Sequence, residues 1–145
     1  MQLTTATDAE VEDAMELLDD AGLPTDVDRE GVILFVGRVD GRPVGICGLE
    51  VRGPHALVRS VVVEPGRRGD GRGTALIEEL CDRARERGVR ELYLLTENAA
   101  GFFEKGGFER AEREAAPEAI RETREFAAVC PASAACLSRA LRNVE

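Results

Sequence analysis

Residues 60 to 76 read SVVVEPGRRGDGRGTAL, a block of valines that runs into four glycines, three arginines and the start of a helical pattern. This junction constrains the chain more than any other stretch. The β-branched valines favour a strand. Leu76, Ile77, Leu80, Cys81 and Ala84 then recur at helical spacing, from Gly71 or Gly73 to Arg87, with Gly88 as the stop. Gly69, Gly71 and Gly73 carry no Cβ, so the backbone between strand and helix can approach a ligand closely. A helix N-terminus offers unpaired N–H groups and about half a positive charge. Arg67, Arg68 and Arg72 add guanidinium donors suited to phosphate oxygens. Together these features predict a pyrophosphate cradle. The alternative is a flexible surface loop with incidental arginines.

The cradle stands out because the rest of the chain is acidic, with 28 Asp and Glu against 19 Lys and Arg and a formal net charge of −9. That balance argues against a general nucleic-acid binder. No run approaches the ~20 apolar residues that span a bilayer, and MQLTTATDAE has no basic segment leading into an apolar one. The expectation is a cytoplasmic protein with no membrane partner, folded as a single domain over residues 1–145. Four cysteines, Cys47, Cys81, Cys130 and Cys136, form no Cys-x-x-Cys pair, and the single histidine is His55, so no metal site is expected. Cys47 and Cys81 fall in apolar patterns and read as buried thiols. Cys130 and Cys136 flank PASAA, and two readings stand for them, structural thiols or soft ligands for a metalloid.

A short strand around residues 2–4 precedes Thr7-Asp8-Ala9-Glu10, which reads as a capping box. Its helix stops at Gly22 before Pro24. Residues 31–51 form a hairpin around Asp40-Gly41, a dipeptide suited to a tight primed turn. A second turn at Gly53-Pro54 leads into HALVRSVVV. VRELYLLT is a buried strand, AAGFFEKGGF a short helix closing on glycines, and FERAER another strand. PEAIRETREF is a Pro117-led helix, and a terminal strand lies near residues 134–139. Antiparallel strands followed by strand–helix–strand give an α/β (α+β) domain with one mixed, mostly antiparallel central sheet flanked by helices.

The loop is neither Gly-x-x-x-x-Gly-Lys-[Ser/Thr] nor Gly-x-Gly-x-x-Gly, which sets aside an NTPase P-loop and a dinucleotide fold. Arg68-Gly69-Asp70-Gly71-Arg72-Gly73 resembles the Arg/Gln-x-x-Gly-x-Gly/Ala signature of the GNAT superfamily of acetyl-CoA-dependent N-acetyltransferases. The strand ending Val61-Val62-Val63-Glu64-Pro65 and the later FFEKGGF resemble that superfamily too, and the likeness covers nearly the whole chain. LYLLTENAAGFFEKGGF with APEAIRETREFAAVCPASAAC is similar to the small N-acetyltransferases of arsenic-resistance operons, themselves similar to the acetyltransferase domain of N-acetylglutamate synthase.

The resemblance implies a sheet splayed at an acyl-CoA site and an acetyl-CoA donor. It also implies direct transfer to a small amino-acid-like amine, with arsenic- or phosphorus-containing toxin analogues among the candidates. Homodimers are common in the superfamily. By the same resemblance Val61, Val62 and Val63 offer backbone groups to the thioester and the pantetheine arm. Arg68, Gly69, Asp70, Gly71, Arg72, Gly73 and Thr74 hold the pyrophosphate, and Phe103 borders the cofactor. An amide N–H on the splayed strand, assigned to Val61, can stabilise the oxyanion.

Two departures bear on catalysis. Phe103 stands where many members have a tyrosine acid, and Thr96 where an asparagine is usual. Leu57 stands where many have a glutamate base. If Gly53-Pro54 is a two-residue turn, antiparallel pairing sets Glu50 opposite Leu57 and on its face. Glu50 is therefore the candidate base, and a solvated strand end is the rival reading. His55 and Arg59 share that face by period two. His55 reads otherwise as an exposed turn residue. Arg59 is the favoured acceptor-binding cation, with Arg121 and Arg124 in the region where synthase-like relatives place carboxylate-binding cations. Two rivals to the enzyme reading follow: a non-catalytic acyl-CoA-binding regulatory module, given the missing tyrosine and glutamate, and a metalloid-thiol binder using Cys130 and Cys136.

Overall fold

Asp40 and Gly41 both adopt positive φ, 52° and 78°. That is the backbone a two-residue primed turn requires, and its twist matches the strands it joins. The turn links β2 (Val32–Val39) to β3 (Arg42–Arg52), paired from Val39↔Arg42 to Val32↔Glu50. Gly53, with φ 66°, then returns the chain as β4 (His55–Val63). These local signals make three consecutive antiparallel strands, and β1 (Gln2–Thr5) adds to the outer edge of β2.

The protein is described by a computed structural model over residues 1–20, 32–63, 72–97, 99–123, 126–127 and 134–141. After β4 the chain passes through α2 (Arg72–Glu86) and returns as β5 (Glu91–Thr96), parallel to β4. Then come α3 (Ala100–Lys105), β6 (Glu109–Ala111), a 3-10 turn at Arg113–Ala115, α4 (Glu118–Arg121) and β7 (Ala135–Ala140). Strand order in the seven-stranded sheet is β1-β2-β3-β4-β5-β7-β6, with only β4–β5 parallel. The mixed sheet with flanking helices is the expected one. Among the described residues no helix is long and apolar enough to cross a membrane.

The main core lies under α2, where Leu76, Ile77, Leu80, Cys81 and Ala84 pack on Phe35, Cys47, Leu49, Val58, Leu92 and Leu94. Burial pushes the Cys47 and Cys81 thiols well up, in keeping with inert core cysteines. The opposite face carries two smaller clusters. Leu34, Val36, Ile46 and Val62 meet Ala6 and Val11, and Leu57, Tyr93 and Cys136 meet Ala116, Ile120 and Phe126.

α1 (Asp8–Asp20) begins with the capping box read from the sequence. The Thr7 amide donates to Glu10 Oε1 at 3.0 Å, and the Glu10 amide donates to Thr7 Oγ1 at 3.2 Å. Arg38 of β2 donates to Glu10 Oε2 and, at 3.3 Å, to Thr4 Oγ1, which ties the helix start to the sheet. The expected stop at Gly22 and Pro24 lies outside the described residues. One helix is shorter than expected. α4 is a single turn ending at Arg121, whereas the sequence reading carried it through Phe126; of that remainder, residues 124–125 lie outside the described residues and residues 126–127 are again helical. The Thr123 hydroxyl donates to the Ile120 carbonyl at 2.6 Å, and the Phe126 amide lies 3.5 Å from Thr123 Oγ1, so Thr123 joins the end of α4 to the next turn. FERAER likewise contributes only three strand residues.

The capping box yields a prediction. Glu10's carboxyl sits below its ordinary value of 4.5, chiefly because the Thr7 N–H binds the ionised form. A lowered folded value means stability that is present above the unfolded value and lost as pH falls through the folded one. Glu10→Gln is expected to be less stable than wild type at pH 7 in urea titrations, with the gap closing as pH drops below 4.5. Thr7→Ala is expected to cost about 1 kcal/mol.

Candidate active site

β4 is bonded unequally on its two sides. With β3 it pairs from Arg52↔His55 to Gly45↔Val63. With β5 it pairs only at His55↔Glu91, Ala56↔Leu92 and Leu57↔Tyr93, although the strands continue to Val63 and Thr96. Beyond Leu57 the β5-facing N–H and C=O groups of β4 therefore stand outside that ladder. Backbone groups of this kind must find another partner. A splayed strand pair that opens toward the N-terminus of α2 is the feature expected for a thioester and its pantetheine arm.

A bulge sits inside the splay. Gly48 pairs with Arg59 and Ile46 with Val62, so β4 holds one more residue than β3 across this interval. Ser60, 6% exposed, takes φ 60°, a left-handed conformation uncommon for a residue with a side chain. The extra residue reverses the alternation. Val62 joins Ile46 on the α1 face, and Val61 packs toward the α2 core. The valine run gave no sign of this reversal.

The face shared by β3 and β4 carries the charge. Glu50 lies directly opposite Leu57, as the two-residue turn requires, and it is only 2% exposed, which rules out a solvated strand end. Its Oε1 receives Arg59 Nη1 at 3.4 Å, and its Oε2 is bound by Arg52 Nη2. Arg59, 3% exposed, also directs Nε toward Ser60 Oγ at 3.5 Å. Gly48 leaves the position opposite Arg59 without a side chain. A Cβ there would lie 3.5 Å from Arg59 Cγ, in ordinary contact with the arginine stem. A buried carboxylate is stable only with such partners. Arg52 was missed in the sequence reading, although its position two residues beyond Glu50 puts it on the same face.

The remaining expectations fall out as follows. His55 is half-buried at the start of β4, and its Nδ1 lies 3.3 Å from Glu91 Oε1, so it is not an exposed turn residue. Tyr93 donates to Glu91 Oε2 at 3.4 Å, and burial together with that carboxylate pushes its hydroxyl up. Thr96 Oγ1 accepts the Ala99 amide at 3.1 Å, just ahead of α3. Phe103 lies in the core against Phe108, while its neighbour Phe102 is exposed. Arg121 is exposed, and its Nε donates to the Ala116 carbonyl at 3.0 Å; nothing brings it to Glu50. Gly73 and Thr74 occupy the first turn of α2, which Arg72 opens. Arg68, Gly69, Asp70 and Gly71, with Arg124 and Cys130, lie outside the described residues. Cys136 is buried, and among the described residues no cluster could hold a metal ion.

The Acetyltransferase (GNAT) family profile matches residues 3–108, most of the chain, including the splay and the glycine-arginine junction. The chain belongs to the GNAT acetyltransferase family. The donor used in this family is acetyl-CoA. Among relatives, the chain is 36% identical over 96 residues to glucosamine 6-phosphate N-acetyltransferase of Trypanosoma brucei brucei, covering 59% of this chain and 65% of that one. It is 31% identical over 98 residues to the amino-acid acetyltransferase of Mannheimia succiniciproducens, covering 68% of this chain and 20% of that one. The chain thus spans less than two-thirds of either relative. The fold is similar to N-acetylglutamate synthase of Neisseria gonorrhoeae, a structure complexed with coenzyme A and N-acetyl-glutamate. That likeness has a TM-score of 0.75 at 20% identity and covers 98% of this chain and 35% of that one.

For a GNAT domain the bulge at Ser60 is a test point. A left-handed residue with a side chain costs about 1–3 kcal/mol, and a β-branched one costs most. Ser60→Val is expected to lower unfolding free energy by about 2 kcal/mol or more, whereas Ser60→Gly should stay within about 1 kcal/mol of wild type. Denaturant titration of both variants measures this.

Proposed function

We propose that this domain transfers the acetyl group of acetyl-CoA to the amine of a small acceptor that also carries an anionic group. The observation that carries this reading is the buried Glu50–Arg59 pair beside the point where β4 and β5 part. A carboxylate and a guanidinium side by side complement an ammonium and an anion in one small molecule. The two relatives are named for such compounds, an amino sugar phosphate and amino acids. Amino acids and their phosphinic and arsinic analogues therefore head the acceptor panel.

In this reading residues 68–74 hold the pyrophosphate at the start of α2, and the Val61–Val63 backbone takes the pantetheine arm and thioester. Val61's amide stabilises the negative charge that develops on the thioester oxygen as the amine attacks. Arg59 binds the acceptor's anion. Glu50 Oε1, which has only a long contact to Arg59, keeps a lone pair for a water that takes the ammonium proton. The C–N bond then forms, the C–S bond breaks, and the nitrogen gives up its second proton to solvent. Phe103 has no proton to give, so the thiolate takes one from water, which a thiol pKa near about 8.5 allows.

Two variants separate the roles. Glu50→Gln is expected to lower kcat by roughly 10²–10⁴ with CoA affinity nearly unchanged, the loss shrinking at high pH where the amine is already neutral. Gly71→Asp adds bulk and negative charge to the cradle and is expected to weaken CoA binding about tenfold or more, about 1.4 kcal/mol. Steady-state thiol release and calorimetric CoA titration read the two effects. Wild-type kcat in Glu50→Gln would remove Glu50 from the proton path.

A further inference from the structure

Glu50 is gripped by two arginines that differ in setting. Arg59 reaches it from the neighbouring strand and is wholly enclosed, with 0% of its side chain exposed. Arg52 comes from the same strand, two residues on, and has 39% exposed. Across the three central strands the same face presents two rows, Glu50–Leu57–Tyr93 and Arg52–His55–Glu91. In the second row Glu91 serves His55 and Tyr93. Arg52, opposite His55, turns back along β3 to bind Glu50 Oε2. The Oε1 contact to Arg59, at 3.4 Å, is long for a charge-assisted bond.

We infer that Arg52 is a positioning residue for acetyl transfer: by anchoring Oε2 from the outer end of the strand, it aims Glu50 Oε1 at the acceptor site. Without that anchor the carboxylate is free to rotate about its last torsion and pair with Arg59 through both oxygens. That pairing would use the lone pair that receives the proton and would draw Arg59 from the acceptor's anion. Arg52 holds Oε2 through a single donor, Nη2, while Arg59 Nη1 approaches Oε1, so each oxygen has its own guanidinium and the carboxylate plane is set between them. The inference rests on the reading of Glu50 as the group that relieves the acceptor of its proton.

The test compares four enzymes, wild type, Arg52→Gln, Glu50→Gln and the double variant, with Arg52→Lys as the conservative control. Each is assayed by thiol release on an acceptor that the wild type turns over. Arg52→Gln is expected to lower kcat about tenfold with CoA affinity within about twofold of wild type. Arg52→Lys should recover part of the loss. The decisive readout is the double variant: if Arg52 acts through Glu50, adding Arg52→Gln to Glu50→Gln lowers kcat no further. A second, multiplicative loss in the double variant would mark Arg52 as a general structural support and overturn the inference. So would an Arg52→Gln enzyme with wild-type kcat while Glu50→Gln is impaired, and in that case the proton-path reading would survive. If Glu50→Gln itself keeps wild-type kcat, the reading and the inference fall together. Thermal midpoints of all five proteins show whether any loss follows unfolding.

Discussion

Hydrogen bonds that β4 does not make with β5 shape the rest of the molecule. A strand in the interior of a sheet normally satisfies both edges, and leaving one edge unpaired costs free energy wherever water is excluded. β4 departs from that rule after Leu57, with β3 holding its other edge as far as Val63. The strained Ser60 persists because β3 on one side and the α2 core on the other fix the residues around it. The cost is localised beside the start of α2, where the chain also gathers its glycines and arginines.

Charge is distributed to match. The protein is acidic overall, yet the paired face of β3 and β4 holds a buried carboxylate between the buried Arg59 and the partly exposed Arg52. Apolar side chains at these positions would bury more cheaply. Two apolar clusters share this face of the sheet, one under α1 and one under α4, so the polar strip belongs to a face that is otherwise packed as core. In the proposed function this arrangement receives a ligand with two charged ends. Arg38 and Glu10, which pin the start of α1 to β2, hold one covering element of this face in place.

Much of this was legible in the residues. A two-residue turn fixes register, and register decides which side chains oppose each other, so Gly53-Pro54 was enough to set Glu50 against Leu57. Asp40-Gly41 and Thr7–Glu10 work the same way, through local geometry with few solutions. Ser60 left no such trace, because its bulge arises from competition between strands and not from its own propensity. Arg52 was passed over in the sequence, and only the burial of Glu50 gives it a partner. Which of Phe102 and Phe103 turns inward depends on how α3 docks, and a six-residue helix carries too little periodicity to say.

The central claim is that the edge of β4 that parts from β5 seats acyl-CoA, and hydrogen–deuterium exchange measured with and without CoA tests it most directly. If the claim holds, amides within residues 58–63 slow on CoA addition, together with the first turn of α2, while β1 and β2 are unaffected. Unchanged exchange across residues 58–63 at saturating CoA would contradict it.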